Sequence, residues 1–238
     1  MPPKVANILH FVKSATISLN MKPLSKRVET FHDKYPLVGP AFWIASIQFF
    51  ITMLLVALAW PQPYSFLHNT ISDLGNTACG IYGDRYVCSP QSVWFNASLI
   101  LLGLTMTAGS VLIYHEFKKT RASMIGFSYM AAAGIGTLMV GLFPENTVSS
   151  LHILGASLVF VLGNVALIIF GTVLAMPKSM RYYTLASGVI SLLAFLLFVS
   201  HIYLGIGIGG VERLAANLQT LWLIVFGLYI SKNHFESN

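Results

Sequence analysis

Six long apolar stretches, separated by polar connections, leave this chain only the bilayer as a solvent. They cover roughly residues 40–60, 93–114, 124–143, 151–175, 183–204 and 214–231. Each is near the length of about 20 residues that a helix needs to cross a bilayer core. Of the 238 residues, 55% are hydrophobic and only 9% are charged, against about 25% charged in a soluble domain. So few charges cannot cover a fold in water. The class expected is all-α: a polytopic integral membrane protein, a six-transmembrane-helix bundle.

The cations fix its expected orientation. Lys4, Lys13, Lys22, Lys26, Arg27 and Lys34 precede the first stretch. Lys118, Lys119 and Arg121 follow the second, Lys178 and Arg181 the fourth, and Lys232 the sixth. Only Arg85 and Arg213 fall in the alternate connections. By the positive-inside rule both termini are cytoplasmic, and the chain is expected in the cell membrane. Residues 1–36 then form a cytoplasmic basic arm, 37–231 the membrane domain and 232–238 a short tail. Within the arm, Val5, Ile8, Leu9 and Val12 have the spacing of an interfacial helix over 5–16, and 20–36 reads as a polar linker ending at Pro36. No stretch in the arm is long enough for the core of a cleavable signal, so the first span reads as an uncleaved anchor. The formal charge of +6 does not point to nucleic acid. The cations lie beside the spans without interleaved aromatics, where they touch anionic lipid. Gly134, Gly136, Gly141, Gly155 and Gly163 in the third and fourth stretches predict close helix contact.

The chemistry-bearing residues gather in the outer connections. The first, 61–92, contains His68, Ser72, Asp73 and Asn76; on a helix, His68, Ser72 and Asn76 would share a face. The structural alternative is that Asn69 or Ser72 caps a short helix whose positive end Asp73 supports. The second connection carries Glu145 beside Pro144, with His152 about one turn into the fourth span, where a neutral imidazole needs a hydrogen-bond partner. The third is glycine-rich and ends in Glu212 and Arg213. Its G-x-G-x-x-G letters lack a preceding strand and carry no dinucleotide signal. Arg213 has the planar fork that suits a phosphate or carboxylate headgroup, with Asn76 and Glu212 as further substrate-binding candidates; the alternative is an anchor that only neutralises Glu212. His201 ends the fifth stretch. His68, Asp73, His152 and His201 are of the types that bind zinc, with Glu145 as base to a metal-bound water. Without metal, Ser72 with His152 and an acid makes a serine-type set, although no G-x-S-x-G elbow surrounds Ser72. The sequon Asn96-Ala97-Ser98 starts a span and is expected to be inaccessible.

Cys79 and Cys88 are the only cysteines, and both fall in the first outer connection. An oxidising compartment favours a disulfide between them, stabilising by about 2–3 kcal/mol in the chain-entropy picture. Two free thiols are the alternative; zinc lacks the usual spacing.

The strings HNTISDLGNTACG, YVCSP with the following NAS, GLFPENT with the later LH, and GIGGVERLAA resemble the bacterial and archaeal membrane family called domain of unknown function 998. The resemblance covers about residues 40–231. It implies a compact six-helix membrane protein and brings no established activity, so no catalytic residue carries over. The arrangement is also distantly similar to membrane hydrolases such as alkaline ceramidases, which use Ser, Asp and His around zinc. Six spans in place of seven, and no matching local motif, limit that to an analogy of reaction class.

Two functions fit these residues. One is a membrane-embedded hydrolase or transferase, metal-assisted, acting on a lipid or lipid-like headgroup at the outer ends of the helices. The alternative is a non-catalytic lipid or small-ligand sensor, or an accessory subunit of a membrane complex, with the arm as its output. A transporter fits less well, because no ionisable residue lies at mid-span and no discontinuous helix pair is evident.

Overall fold

The computed structural model describes residues 23–237; the helix expected at 5–16 lies outside them. Six helices are long and apolar enough to cross a bilayer: Val38–Leu58, Ser92–Glu116, Arg121–Leu142, Ser149–Val173, Lys178–Val199 and Gly207–Glu236. The all-helical, six-span expectation holds. Among the described residues the only sheet is a hairpin of β1 (Cys79–Tyr82) and β2 (Arg85–Cys88).

Three boundaries differ from expectation. The fifth span begins at Lys178, directly after Pro177, because long basic side chains can lie along a helix end with their charges outside it. The sixth begins at Gly207, so Glu212 and Arg213 sit inside the helix and not in a loop. The glycines there serve a close backbone approach: the Gly209 N–H donates to the Leu67 carbonyl at 2.9 Å, and a Cβ at Gly209 would lie 2.8 Å from the Phe66 carbonyl oxygen. The turn between the spans carries His201 and Leu204 at φ +57° and +50°. Finally, the linker contains a helix, Leu24–Lys34. Lys119 Nζ to Glu29 (2.5 Å) and His32 Nε2 to Glu116 (3.4 Å) hold it against the far end of the second span and the connection after it.

The six spans form a ring in chain order: each packs on the next, and the sixth returns to the first. Small residues set the closest crossings. A Cβ at Gly136 would meet the Gly155 carbonyl oxygen at 2.5 Å, and one at Gly155 the Gly136 oxygen at 2.7 Å, so the third and fourth spans touch backbone to backbone as expected. Gly134 and Gly141 instead face the second span. At the basic end, where Lys34, Lys119 and Lys178 lie, aromatic rings fill the ring's axis. Trp222 stacks on Phe226 at 4.5 Å and on Phe170 at 5.6 Å, Phe127 meets Phe170 at 4.6 Å, and Trp43 closes the group at 5.5 Å from Trp222. Each indole N–H has an acceptor, Met106 O for Trp43 and Thr184 Oγ1 for Trp222. The opposite end, which carries the hairpin, is built differently.

Candidate functional site

Short polar side chains between residues 64 and 76 fold the first long connection onto itself. Such residues compete for their own backbone. The Thr70 N–H donates to Asp73 Oδ2 at 2.9 Å, and the Asp73 N–H returns to Thr70 Oγ1 at 3.2 Å. This reciprocal turn starts a single 3-10 turn, Ser72–Gly75. The longer helix that would align His68, Ser72 and Asn76 does not form.

Arg85 then fastens the hairpin to this turn. A two-residue loop, Gly83-Asp84, joins the strands, with Gly83 at φ +62° and Tyr82 opposite Arg85. Cys79 pairs with Cys88 across the strands and is bonded to it; the disulfide expected from the sequence is present. The Arg85 guanidinium grips Asp73 with two hydrogen bonds, both 2.7 Å. Asp73 is 0% exposed. Burial alone would raise its carboxyl, but Arg85, with Asn69 and the Thr70 amide, overcomes that and holds it below the ordinary range. The same pairing raises the Arg85 pKa.

Glu145 faces this pair from the short connection before the fourth span. Asn76 Nδ2 donates to Glu145 Oε1 at 2.9 Å, and Tyr82 Oη donates to the Glu145 carbonyl at 3.1 Å. Burial pushes the Glu145 carboxyl up to about 8; Asn76 opposes the shift, and the Asp73 charge adds to it. At neutral pH the acids therefore divide: Asp73 is ionised against Arg85 and Glu145 holds its proton.

Next to them, Ser72 Oγ lies 2.9 Å from His152 Nε2. The other ring nitrogen, Nδ1, lies 2.9 Å from the Phe143 carbonyl oxygen. A carbonyl only accepts, so in the neutral ring Nδ1 carries the proton and Nε2 is left to accept from the Ser72 hydroxyl. His152 is buried and Ser72 half-buried.

Both side chains line a cavity of about 360 Å³ at this end of the ring, within the roughly 300–1,000 Å³ of small-ligand sites. Its walls change character with depth. Ser72, Tyr82, Arg85, Glu145, Ser149 and His152 line the mouth. Phe49, Leu99, Leu102, Val140, Phe160 and Phe195 line the body together with Thr137, and Gln219 and Thr220 the inner part. Glu212 is also in the wall and accepts from the Ile71 N–H.

The family model for a protein of unknown function, DUF998, matches residues 43–229. The chain belongs to the DUF998 family. No curated protein and no solved structure matches it. The DUF998 match runs from the first span into the sixth, so every wall of the cavity is part of the family domain.

Against this geometry, the residues singled out in the DUF998 chain part company. Ser72, Glu145, His152 and Glu212 meet at the cavity. His68, Asp73, His152 and His201 do not form a metal set: among the described residues no three His, Cys, Asp or Glu side chains group to hold an ion. The reason is local. Arg85 and the turn occupy Asp73, and Ser72 with Phe143 O occupies His152. His68 is exposed, and His201 is exposed and bonded through Nδ1 to the Tyr203 hydroxyl at 2.9 Å. Arg213 is not placed to hold a headgroup. Its Nη1 donates to the carbonyls of Phe66, Asn69 and Gly209 at 2.8–2.9 Å, its Nη2 to Tyr64 Oη, and its plane lies over the Tyr64 and Phe66 rings. It clips the first connection to the sixth span. Asn76 is 1% exposed and positions Glu145. Asn96 of the sequon is buried and donates to the Gly75 carbonyl. Sequence reasoning missed Arg85 and Tyr82. Arg85 was visible as a cation against the charge rule, and Gly-Asp between two β-prone runs is a hairpin signal.

Proposed function

We propose that this protein is a membrane-embedded serine hydrolase or transferase acting on the acyl ester of an amphiphile. The carrying observation is the Ser72 Oγ to His152 Nε2 contact of 2.9 Å, with the ring oriented by the Phe143 carbonyl, in the wall of a cavity. Ser72 Oγ attacks the ester carbonyl carbon while its proton passes to His152 Nε2. His152 gives that proton to the departing alcohol oxygen. Water or a second alcohol, deprotonated by the same ring, then attacks the acyl carbon, and the ring returns that proton to Ser72 Oγ as the acyl group leaves. Arg85 is the cation in the cavity wall. It supplies the positive charge available in the cavity wall to the carbonyl oxygen as negative charge develops there. This reading replaces a metal-assisted reaction with a serine-type one and keeps a lipid as the substrate class. It places both termini in the cytoplasm and the cavity at the outer face of the cell membrane, supported by the clustering of cations at the other end.

The test is covalent labelling of the detergent-purified protein with a fluorophosphonate, read by intact mass and peptide mapping. One adduct on Ser72 is expected, lost in Ser72→Ala and strongly slowed in His152→Gln. Absence of any adduct on folded protein, or an adduct that survives Ser72→Ala, would overturn the reading. A second reading keeps the cavity without the chemistry, as a lipid or ligand sensor. It is favoured by one feature: a backbone carbonyl, and not a carboxylate, orients His152.

A further inference from the structure

We propose that the cavity receives its ligand sideways: one acyl chain of a membrane lipid passes between the hairpin-end halves of the fourth and fifth spans, leaving its headgroup at Ser72 and Arg85. The inference rests on the cavity being the ligand site of the proposed function, and it deepens that reading by naming the ligand's route and form.

The two spans are zipped at one end only. In the basic half, Asn164–Val173 packs closely along the fifth span. A Cβ at Gly188 would lie 2.9 Å from both the Asn164 carbonyl oxygen and Leu167 Cβ. In the hairpin half, Ser149–Ser157 makes no comparable packing with the fifth span. The change happens at a π-helical segment, Leu158–Gly163, a wide turn that recurs at functional sites. There Phe160 stacks on Phe195 at 5.2 Å and meets Phe198 at 6.2 Å, closing the base of the gap.

Above that base, the same residues face two ways. Ile153 and Val199 line the cavity, yet they are 61% and 50% exposed. A side chain that is both cavity wall and outer surface lies on the rim of an opening. Ala156 and Ser157 complete the fourth span's edge. Both edges belong to membrane spans, so the opening meets lipid chains. The walls behind it are mainly apolar, with Thr137, Gln219 and Thr220 as the polar exceptions, and the charged groups stand at the hairpin end. That order, head at the polar mouth and chain in the apolar body, is the order of a lipid in its own leaflet. A cavity of about 360 Å³, near the low end for ligand sites, suits one chain and not two.

The experiment uses the full chain in phosphatidylcholine nanodiscs doped with a lysophosphatidylcholine that carries a diazirine on its chain, with crosslinks mapped by mass spectrometry. Crosslinks are expected on Leu102, Val140 and Phe160. Ala156→Trp and Val199→Trp fill the opening from its two edges, and each should cut interior crosslinking about tenfold, whereas Leu193→Trp, on an exposed position outside the cavity, should not. Melting curves establish that each variant is folded. Interior crosslinks unchanged in either folded edge variant, or crosslinks confined to outward residues such as Leu154 and Leu193, would overturn the inference. Crosslinking that persists in a protein unreactive to phosphonate sinks the chemistry alone; phosphonate reaction without interior crosslinks sinks the lipid route alone.

Discussion

Around Trp43, Phe127, Phe170, Trp222 and Phe226 the ring of helices is filled to its axis by aromatic side chains, whereas toward the hairpin the same six helices enclose a cavity with Ser72, Arg85, Glu145, His152 and Glu212 in its wall. The first arrangement needs only size and shape, plus one acceptor for each indole. The second takes three carboxyls and a guanidinium largely out of water, and each needs a specific partner. Replacing buried ionic groups by well-packed apolar ones is often neutral or stabilising by about 1–4 kcal/mol. Stability alone therefore does not explain the hairpin end. The contrast teaches that one end holds the bundle together, while the other carries an energetic cost that the proposed chemistry would explain.

The largest effect should separate the ends outright. Ser72→Ala is expected to slow phosphonate labelling by about a thousandfold or more, in line with loss of a nucleophile, with little change in melting temperature. Trp222→Ala should do the reverse: a loss of about 3–5 kcal/mol in denaturation from the packing left behind, with the remaining folded protein still labelled at Ser72. If Ser72→Ala melts like Trp222→Ala, the division of labour between the ends fails.

Next in size is the ion pair. Asp73 is fully buried beneath Arg85, so Arg85→Ala leaves a buried charge without its partner and should cost about 3–5 kcal/mol. The double variant Arg85→Leu with Asp73→Asn should recover most of that, because the charge is gone. Denaturation of the two variants side by side measures it. Equal losses would mean that Arg85 contributes packing and not charge compensation.

A smaller effect follows pH. Glu145 is raised to about 8, so the fold favours its neutral form. That stabilisation is complete below the ordinary carboxylate range and is lost as pH rises through about 8. Asp73, held below its ordinary value, has the opposite sign and loses its contribution only in acid. The melting temperature should therefore decline from the ordinary carboxylate range up to about 8 and level off above it, and Glu145→Gln should flatten that decline without altering the acid limb. A decline of the same slope in Glu145→Gln would assign it to another group.

The two ends also differed in legibility. Helix count and core position follow from apolar runs, which are local, so all six spans could be read, and Cys79–Cys88 followed from two cysteines in one connection. The hairpin end is made by contacts distant in sequence. Ser72 to His152 bridges 80 residues and Ile71 to Glu212 bridges 141, and no local spacing records either. Residue type was enough to collect His152, Glu145 and Ser72 as candidates. It could not tell them from His68 and His201, which carry the same imidazole and stand exposed. Arg213 misled for a related reason: a guanidinium that clips three carbonyls looks, in sequence, like one that waits for an anion.

Gln219 offers the finest probe of where the two ends meet. It lies in the cavity wall between the polar mouth and the aromatic core, is 2% exposed, and its Oε1 has no hydrogen-bond partner among the described residues. Its Nε2 reaches only the Met106 sulfur at 3.9 Å, a weak acceptor. A buried amide so poorly satisfied costs about 1–3 kcal/mol. Gln219→Leu removes the polar group at similar length and should raise stability by about 1 kcal/mol. If a plain acyl chain lies against this position, the same change should strengthen lysophosphatidylcholine crosslinking at Leu102, since the chain then meets only apolar wall. Weaker crosslinking in a more stable protein would mean that the ligand brings a hydrogen-bond donor to this depth. The site would then read a polar mark along the chain as well as its headgroup.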